Sequence, residues 1–428
     1  MRSNRGQTGR EVAVIGGGVS GLTAAYLLSK SGRNVTLLEA DDRLGGHADT
    51  HMVTSAGGRR LPVDTGFIVF NERTYPLLTR LFAELGVTGR PSEMSMSVRC
   101  AGCGLGYAGK RGAGGVLAGF RPGGGRYARM LTEVPRFHRR ARALLAAGGD
   151  DQRTLSEFLA DGGFSPYFLR HFAMPLVAAV WSCPPGAALQ YPARYLFSFL
   201  ANHGMLTITG SPQWCTVTGG SRTYVDLIAK QIAVVRPSAP VLAVRRFPDG
   251  AEVTDAAGGT AAFDAVVIAT HANQALRLLA DPTGAEQEVL GAFGYTSNPA
   301  VLHTDNRLLP DNSKMRASWN YRLAHCEAGA TGTGISYDMN RLQGLDATED
   351  YIVTLVAGGL APDPEQIIAT MDYTHPAYTP ESVAAQRRLP ELTTSVSAYA
   401  GAYDGWGFHE DGCRSGSKAA RVLGGAPW

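Results

Sequence analysis

The spacing of apolar and polar residues predicts alternating strands and helices at the start of the chain. Residues 11–15 (EVAVI) are a short apolar run that ends in consecutive glycines. Residues 19–30 then carry the apolar side chains of a buried helix, with Gly32 as its C-cap. Residues 34–40 (NVTLLEA) are rich in β-branched and apolar side chains and are predicted as a second strand. This order of elements is typical of a parallel α/β unit.

This strand and helix pattern is interrupted and then resumed. Residues 75–86 carry a further helical pattern, whereas residues 95–209 contain an Arg-rich helical stretch, an apolar stretch and a glycine-rich segment at 112–125 that is predicted as a loop. A glycine turn into a helix returns near residue 216, followed by a hairpin, a buried strand and another helix. Residues 291–384 alternate short strands and turns, and the chain ends in a helix.

These interruptions predict two interleaved domains. The expected fold class is α/β, with a Rossmann-type, doubly wound domain assembled from residues 1–90, 210–290 and 385–428. Residues 91–209 and 291–384 are expected to form an α+β domain that covers the binding face of the first.

Composition and charge exclude several classes of protein. Of the 428 residues, 44% are apolar and 18% are charged, as in an ordinary soluble globular protein. The net charge of +3 is too small to indicate nucleic-acid binding. The polar, basic first ten residues are unlike a signal peptide, and no apolar run is long enough to cross a bilayer, so a cytoplasmic location is expected.

Two of the six cysteines form a C-x-x-C pair, Cys100 and Cys103. This spacing is that of half a zinc site, but no second Cys/His pair with metal-ligand spacing follows it. The flanking residues 95–99 (SMSVR) and 105–109 (LGYAG) instead predict the tip of a hairpin. No metal site is therefore expected.

The glycine turn IGGGVSG matches the fingerprint of a dinucleotide-binding site. Gly16 permits the tight turn, Gly18 lets the backbone approach a pyrophosphate, and Gly21 lets the helix pack closely on the strand. Glu39, at the end of the second strand, would accept hydrogen bonds from an adenosine ribose and repel the 2′-phosphate of NADP. NAD and FAD share this half-site, so the fingerprint leaves both open.

Three further segments favour FAD over NAD, because they resemble segments of a known protein family. Residues 39–50 (EADDRLGGHADT) place a second glycine pair after the acid, residues 61–71 (LPVDTGFIVFN) follow, and residues 405–412 (GWGFHEDG) are a glycine-rich turn into the final helix. These segments resemble the flavin-containing amine oxidase and desaturase superfamily. Shorter motifs, among them VWSCPP, ANHGML and ASWNY, are similar to a bacterial subgroup of FAD-dependent oxidoreductases. The genes of that subgroup are often associated with cyclopropane fatty acid synthase-like methyltransferases, which implies a lipid or acyl substrate by analogy.

The resemblance also implies which residues bind FAD. They are Gly16, Gly18, Val19 and Ser20 at the pyrophosphate, Glu39 and Ala40 at the adenosine, Arg43, Gly45, Gly46 and His47 along the phosphate and ribityl chain, Asp64, Thr65, Gly66 and Phe67 beside the flavin ring, Val241 against the adenine, Thr270 and His271 near the ribityl chain, and Gly407, Phe408 and His409 at the start of the final helix. The N-terminus of that helix would stabilise negative charge on the reduced flavin. No cysteine closely precedes the last segment, so FAD is expected to be held non-covalently.

Few acidic or basic residues are needed where a flavin carries the redox chemistry. The candidate bases or anchors are His203, Tyr321 and Asp305, together with His303. Each has an alternative interpretation as a hydrogen-bonded structural residue, because sequence alone does not place it beside the flavin.

Residues 319–321 (WNY) are predicted either as a strand that faces the substrate or as an ordinary packed aromatic strand. The lysine that many amine oxidases keep near the flavin has no clear counterpart, and Lys314 is the only nearby candidate. This argues against plain amine oxidation.

The expected reaction is FAD-dependent removal of a hydride from a carbon atom of a small or lipid-like substrate, with desaturation of an acyl chain favoured. The alternatives are amine oxidation, redox-neutral isomerisation of a double bond, and a lipid-carrier protein without catalysis. The expected partner is a small molecule or an acyl chain, either free or presented by a carrier or a membrane. The oligomeric state stays open.

Overall fold

Two large sheets organise the fold, one parallel and one mixed. The computed structural model describes residues 9–109, 112–119, 124–149, 151–181, 189–207, 210–326, 333–356 and 359–428. Its strands are β1 (Glu11–Ile15), β2 (Asn34–Leu38), β3 (Thr50–Thr54), β4 (Arg60–Asp64), β5 (Gly89–Ser92), β6 (Met96–Cys100), β7 (Gly106–Gly109), β8 (Trp214–Val217), β9 (Val234–Arg236), β10 (Val241–Phe247), β11 (Gly250–Asp255), β12 (Thr260–Phe263), β13 (Ala265–Ile268), β14 (Gly294–His303), β15 (Trp319–Leu323), β16 (Gly334–Asp338), β17 (Ile352–Leu355), β18 (Ile367–Ala377) and β19 (Ser397–Tyr399).

The helices connect these strands and cover both sheets. They are α1 (Val19–Lys30), α2 (Pro76–Leu85), α3 (Gly112–Leu117), α4 (Gly125–Ala146), α5 (Leu155–Asp161), α6 (Pro166–Phe168), α7 (Met174–Trp181), α8 (Ala193–Asn202), α9 (Arg222–Ala229), α10 (Ala272–Leu278), α11 (Gly284–Gly291), α12 (Met339–Gln343), α13 (Pro380–Gln386) and α14 (His409–Val422). A π-helical turn, Leu169–Ala173, lies between α6 and α7. No helix in the described ranges combines the length and the apolarity that a bilayer crossing requires.

The parallel sheet has five strands in the order β19-β13-β1-β2-β9. Its central strands are continuous apolar runs because helices cover both faces, and all four residues of β13 are buried. Helix α1 is buried along most of its length and packs against α14, the last helix. The Rossmann-type fold predicted from the sequence is confirmed. The strands come from three distant parts of the chain, and the assignment of residues 1–90, 210–290 and 385–428 to one domain stays a prediction.

The mixed sheet has seven strands in the order β18-β14-β17-β16-β15-β6-β7. Its apolar face and helices α4 to α8 share one core, in which Phe137, Phe158, Phe168 and Phe197 are buried together. The predicted hairpin around the C-x-x-C pair is confirmed, since β6 and β7 pair in antiparallel register.

The loop predicted for residues 112–125 is wrong in its first half, where the structure has the short helix α3. Glycine has low helix propensity, but α3 packs on β7 and its carbonyl at Val116 accepts a hydrogen bond from the Tyr127 hydroxyl at 2.8 Å. Tertiary contacts therefore outweigh local propensity. Residues 120–123 lie outside the described residues.

Candidate active site

A cavity of about 930 Å³ lies where the carboxyl ends of the parallel strands face the mixed sheet. Ile15, Leu38 and Ala269, at or just beyond the ends of β1, β2 and β13, line one side of it. Trp319 and Tyr337 of the mixed sheet line the other side. This edge of an open parallel sheet is where α/β folds bind ligands, and the volume is at the upper end of the range of about 300–1,000 Å³ for small-molecule sites.

The first glycine turn leaves room for a ligand at one position only. Gly16 has a φ of +103°, and a Cβ atom there would lie 2.6 Å from the carbonyl oxygen of Ala269. A Cβ atom at Gly21 would lie 1.9 Å from the carbonyl oxygen of Gly16. A Cβ atom at Gly18, by contrast, would have no atom within 4 Å, and Gly18 lines the cavity. Gly16 and Gly21 are thus required for packing, whereas Gly18 opens space at the N-terminus of α1.

The second glycine pair folds onto the first turn. The N–H of Gly45 donates to the carbonyl oxygen of Gly17 at 2.9 Å, and Gly45 forms a bridge with Gly18. Gly45 and Gly46 have φ values of +111° and +55°, in the left-handed region that favours glycine. The two turns together form a cradle of backbone amides at a helix N-terminus, which suits a pyrophosphate.

Glu39 stands at the end of β2, on the cavity wall. Its Oε2 accepts the N–H of Gly17 at 2.6 Å, and its Oε1 accepts the N–H of Asp41 at 3.0 Å. These bonds fix the carboxylate beside the glycine turn and leave each oxygen a further lone pair for a ribose hydroxyl.

Nearly all the residues predicted to bind FAD line this cavity. They are Gly16, Gly18, Val19, Ser20, Glu39, Ala40, Arg43, Gly45, Gly46, His47, Thr65, Gly66, Phe67, Val241, Thr270, His271, Gly407, Phe408 and His409. The Nε2 atom of His47 is buried without a hydrogen-bond partner in the described part of the chain, as expected of a group that meets a ligand. The open cradle, the acid and this unpaired nitrogen fit FAD.

Asp64 is the exception, because its carboxylate points away from the cavity. It is fully buried, and it accepts hydrogen bonds from the Thr50 hydroxyl at 2.5 Å, the Ser221 N–H at 2.9 Å and the Gln343 amide at 2.9 Å. Burial raises its pKa to about 6, against the lowering effect of these donors. Asp64 therefore supports, from behind, the cavity-lining segment of Thr65, Gly66 and Phe67.

The final helix directs its N-terminus at the cavity. Helix α14 begins at His409, and burial lowers the pKa of this histidine to about 3, which keeps the ring neutral at ordinary pH. Its ring stacks on Phe67, with 3.8 Å between ring centroids. Both acids of the first turn are hydrogen-bonded: Glu410 accepts the N–H groups of residues 77 and 78, and Asp411 caps the helix itself by accepting the N–H of Phe408. The positive end of the helix dipole therefore faces the cavity with Asp411 as its cap.

Comparison with known proteins assigns the chain to a family. The model of the flavin-containing amine oxidoreductases matches residues 19–423. The chain belongs to this family. It is a flavin oxidoreductase, and the flavin cofactor expected from the sequence is confirmed.

The relatives of this oxidoreductase differ in their activities. It is 27% identical to coproporphyrinogen III oxidase of Mycobacterium leprae over 292 residues, which are 64% of this chain and 62% of that protein. The match therefore spans less than two thirds of the relative. Cyclohexylamine oxidase from Brevibacterium oxydans IH-35A superposes with a TM-score of 0.70, at 18% identity and 97% and 98% coverage of the two chains. A CLA-producing fatty acid isomerase from P. acnes superposes equally well, at 14% identity and 97% and 99% coverage. The two superpositions establish the fold.

The wall of the cavity opposite the glycine turns is apolar and aromatic. Its lining side chains come from α7, α8, β8, the mixed sheet, the turn before α14 and the segments that follow β4, β5 and α8, and they are Ile68, Val69, Met94, Val180, Trp181, Phe199, Met205, Trp214, Trp319, Tyr337, Leu355, Met371 and Trp406. No lysine of the described ranges is among the cavity-lining residues, and Lys314 is exposed outside the cavity.

The structure places the candidate catalytic residues behind the cavity wall. The imidazole of His203 is buried and stacks on Phe199, a wall residue, with 3.9 Å between centroids, and its Nδ1 lies 3.0 Å from the carbonyl oxygen of Phe199. Tyr321 is buried in the core of the mixed sheet, although Trp319 on the same strand does line the cavity. His203 and Tyr321 can therefore affect a bound ligand only indirectly, through residues that line the cavity.

Asp305 and His303 form a structural group at the end of β14. Asp305 accepts the N–H of Arg307 at 3.1 Å and pairs with its guanidinium at 2.7 Å. His303 contacts the Thr354 hydroxyl at 2.8 Å through Nε2 and accepts the N–H of Asp305 at 3.0 Å through Nδ1. Neither residue lines the cavity, and their hydrogen bonds account for their burial.

Sequence reasoning missed the contribution of β18 to the site. Tyr373 and His375 line the cavity, and both pack against His47, with ring centroids 5.0 and 5.1 Å apart. No motif marks this strand, and only the pairing of β18 with β14 brings it to the cavity.

Proposed function

We propose that this FAD-dependent oxidoreductase removes a hydride from a carbon atom of an acyl or lipid-like substrate, and that the favoured outcome is desaturation, in which the adjacent carbon atom also releases a proton. The observation that carries the proposal is the apolar wall just described, which faces the FAD cradle across the cavity. Each methylene group buried against such a wall contributes about 0.8 kcal/mol, so a long chain would be held and oriented by its remote carbons.

The charged groups of the cavity support a neutral, apolar substrate. Glu39 accepts the N–H of Gly17, and Asp49 pairs with Arg43 at 3.0 Å. Asp372, on β18, accepts a hydrogen bond from the Ser297 hydroxyl at 2.7 Å. Three of the four carboxylates that line the cavity within the described ranges thus already have partners, which favours a carbon chain over an amine.

FAD, when bound, supplies the electron acceptor for C–H oxidation. The chain's own residues bind the nucleotide, orient the substrate and keep water away. The aromatic side chains of Trp181, Trp319 and Trp406 would exclude water from the reacting carbon. The neutral imidazoles of His47 and His409 leave the site without an added positive charge, since burial lowers the pKa of both.

Anaerobic mixing distinguishes the candidate reactions. We expect a saturated or monounsaturated long-chain acyl compound, offered as free acid and as thioester, to bleach the visible flavin band, whereas mono- and diamines leave it unchanged. Bleaching by amines alone would contradict the proposal. Formation of a product with a shifted double bond, without net bleaching or oxygen uptake, would instead show that the enzyme is an isomerase.

A pair of variants tests the apolar wall in the same assay. Trp319→Arg places a charge on the wall and is expected to reduce the acyl-dependent bleaching rate at least tenfold with normal flavin content. Leu117→Arg is the control, because Leu117 is 60% exposed and away from the cavity. Equal bleaching rates in the two variants would show that the substrate does not contact this wall.

We also propose that FAD is held without a covalent bond. No cysteine of the described residues lines the cavity, and Cys413 on α14 is buried against Thr23, with 3.6 Å between sulfur and hydroxyl oxygen. Acid precipitation is expected to leave the flavin in the supernatant and a colourless pellet. A yellow pellet whose protein mass is raised by that of the flavin would overturn this proposal.

A further inference from the structure

Three cysteines and a histidine meet at one edge of the mixed sheet, outside the FAD cavity. They are Cys100, Cys103, His171 and Cys326, and their potential ligand atoms all lie within 4.8 Å of one another. They come from three distant segments: the β6–β7 turn, the π-helical turn before α7, and the residues after β15. Both Cys100 and His171 are buried.

The distances match those of a tetrahedral metal site. The sulfur atoms of Cys100 and Cys326 are 3.6 Å apart, and the Cys103 sulfur lies 3.7 Å from Nε2 of His171. With Zn–S bonds of about 2.3 Å and Zn–N bonds of about 2.0–2.1 Å, tetrahedral geometry places two sulfurs about 3.8 Å apart and a sulfur and a nitrogen about 3.6 Å apart. The Cys100–Cys326 separation is also far longer than the bond of about 2.05 Å in a disulfide.

The histidine is oriented as a metal ligand. Its Nδ1 lies 3.0 Å from the carbonyl oxygen of Tyr167, so this nitrogen carries the proton and donates to that oxygen. Nε2 therefore presents its lone pair to the cysteines, which is the arrangement that backbone carbonyls impose on metal-binding histidines. The Tyr107 hydroxyl donates to the carbonyl oxygen of His171 at 2.7 Å and fixes the turn. Single π-helical turns occur often at functional sites.

The backbone around the cysteines is also held in place. The N–H of Ala101 donates to the carbonyl oxygen of Leu323 at 2.8 Å, extending the pairing of β6 with β15 toward Cys326. Gly104 has a φ of +69°, and the turn it forms lets the N–H of Cys100 donate to the carbonyl oxygen of Leu105 at 2.9 Å. The guanidinium of Arg170, next to His171, donates to the carbonyl oxygen of Cys326 at 3.0 Å. The four ligands are thus positioned by bonds that do not involve the ligand atoms.

We propose that Cys100, Cys103, His171 and Cys326 bind one structural zinc ion. Three thiolates and one imidazole are an established ligand set for structural zinc, and softer thiolate donors select against magnesium and calcium. The protein supplies all four ligands, so no position stays open for water or substrate. The ion links the π-helical turn to the mixed sheet. Because α7 follows that turn and contributes to the apolar wall of the cavity, the ion also stabilises this wall.

The test is metal analysis of the purified, reduced holoenzyme with matched cysteine variants. We expect about one zinc per chain after incubation with zinc and removal of the excess, and at least a tenfold lower content in Cys103→Ser. Cys103 is exposed, so the serine is tolerated sterically. Cys215→Ser is the control, since Cys215 lies on β8, outside the cluster, and its zinc content should be unchanged.

Cobalt provides a readout that reports geometry rather than content. Cobalt-substituted protein is expected to show the intense visible bands of tetrahedral thiolate coordination in a difference spectrum against the zinc form, which subtracts the flavin. Cys103→Ser should lose these bands and Cys215→Ser should keep them. Absence of both zinc and cobalt binding, or equal zinc content in the two variants, would each overturn the proposal. None of these results depends on the reaction proposed for the flavin.

Discussion

Replacing Gly18 by valine is expected to abolish flavin binding without unfolding the protein. The two other fingerprint glycines are required for packing, since side chains there would collide with backbone atoms at 2.6 Å or less. Gly18 differs, because a Cβ atom at this position meets nothing within 4 Å, and its φ of −73° and ψ of 178° are accessible to valine. The side chain would occupy the space that the cradle leaves for the pyrophosphate.

Gly284→Val is the matched control for this substitution. Gly284 also has open space around a Cβ atom, but it lies at the start of α11, away from the cavity. We expect Gly18→Val to be purified colourless, with a dissociation constant for added FAD raised at least a hundredfold, and with the circular dichroism of the wild-type apoprotein. Gly284→Val should remain yellow. A yellow Gly18→Val protein would show that the pyrophosphate does not lie at this turn.

The geometry of the first glycine turn was predictable because its requirements are local. The backbone at residue 16 has a positive φ, residue 18 must leave space open, and an acid is required at the end of β2. Each requirement selects a particular residue type, and these residues occur at a fixed spacing along the chain. The return of residues 45 and 46 to the first turn was predictable only through resemblance, since nothing in their spacing specifies the contact.

The direction of a side chain was less predictable than its position along the chain. Asp64 belongs to a segment that does line the cavity, but successive residues of a strand face opposite sides, and Asp64 faces Ser221 and Gln343. His203 and Asp305 were singled out for their chemistry, yet both are satisfied by local hydrogen bonds at 3.0 and 3.1 Å. A sequence does not show which side of a strand or helix faces a cavity between two sheets.

The cluster of Cys100, Cys103, His171 and Cys326 was also not predictable, because it depends on contacts between distant parts of the chain. Cys100 and Cys103 form a recognisable pair, but His171 and Cys326 are separated from it and from each other by many residues and have no pair spacing of their own. Only the parallel pairing of β6 with β15, and the packing of the π-helical turn on β6, brings them together. The sequence analysis noted the pair of Cys100 and Cys103 but expected no metal site there, because it lacked the topology that brings His171 and Cys326 to the pair.

Removing the carboxylate of Glu286 is expected to cost about 3–5 kcal/mol of the free energy of unfolding. Glu286, on α11, is 2% exposed and forms a bidentate pair with Arg246 of β10, with one N–O distance of 2.9 Å. It also accepts the Tyr399 hydroxyl at 2.5 Å, which ties in β19 of the parallel sheet. Glu286→Ala leaves a guanidinium that is only 11% exposed without its main partner. That loss is a large share of the 5–15 kcal/mol that stabilises a typical domain.

Asp281→Ala is the matched control, because Asp281 pairs with the same guanidinium at 3.4 Å but its side chain is 41% exposed. An exposed pair contributes about 0–1 kcal/mol, so urea unfolding followed by circular dichroism should show a small shift of midpoint for Asp281→Ala and a large one for Glu286→Ala.

Burial alone raises the pKa of Glu286, but the hydrogen bonds from Arg246 and Tyr399 outweigh it and lower the pKa from 4.5 to about 2. The folded-state pKa is thus depressed, and the stabilisation is complete above pH 4.5 and is lost as the pH falls toward 2. The difference between wild type and Glu286→Ala should therefore shrink across this acidic range, and a difference that stays constant would show that the carboxylate is not ionised in the folded protein.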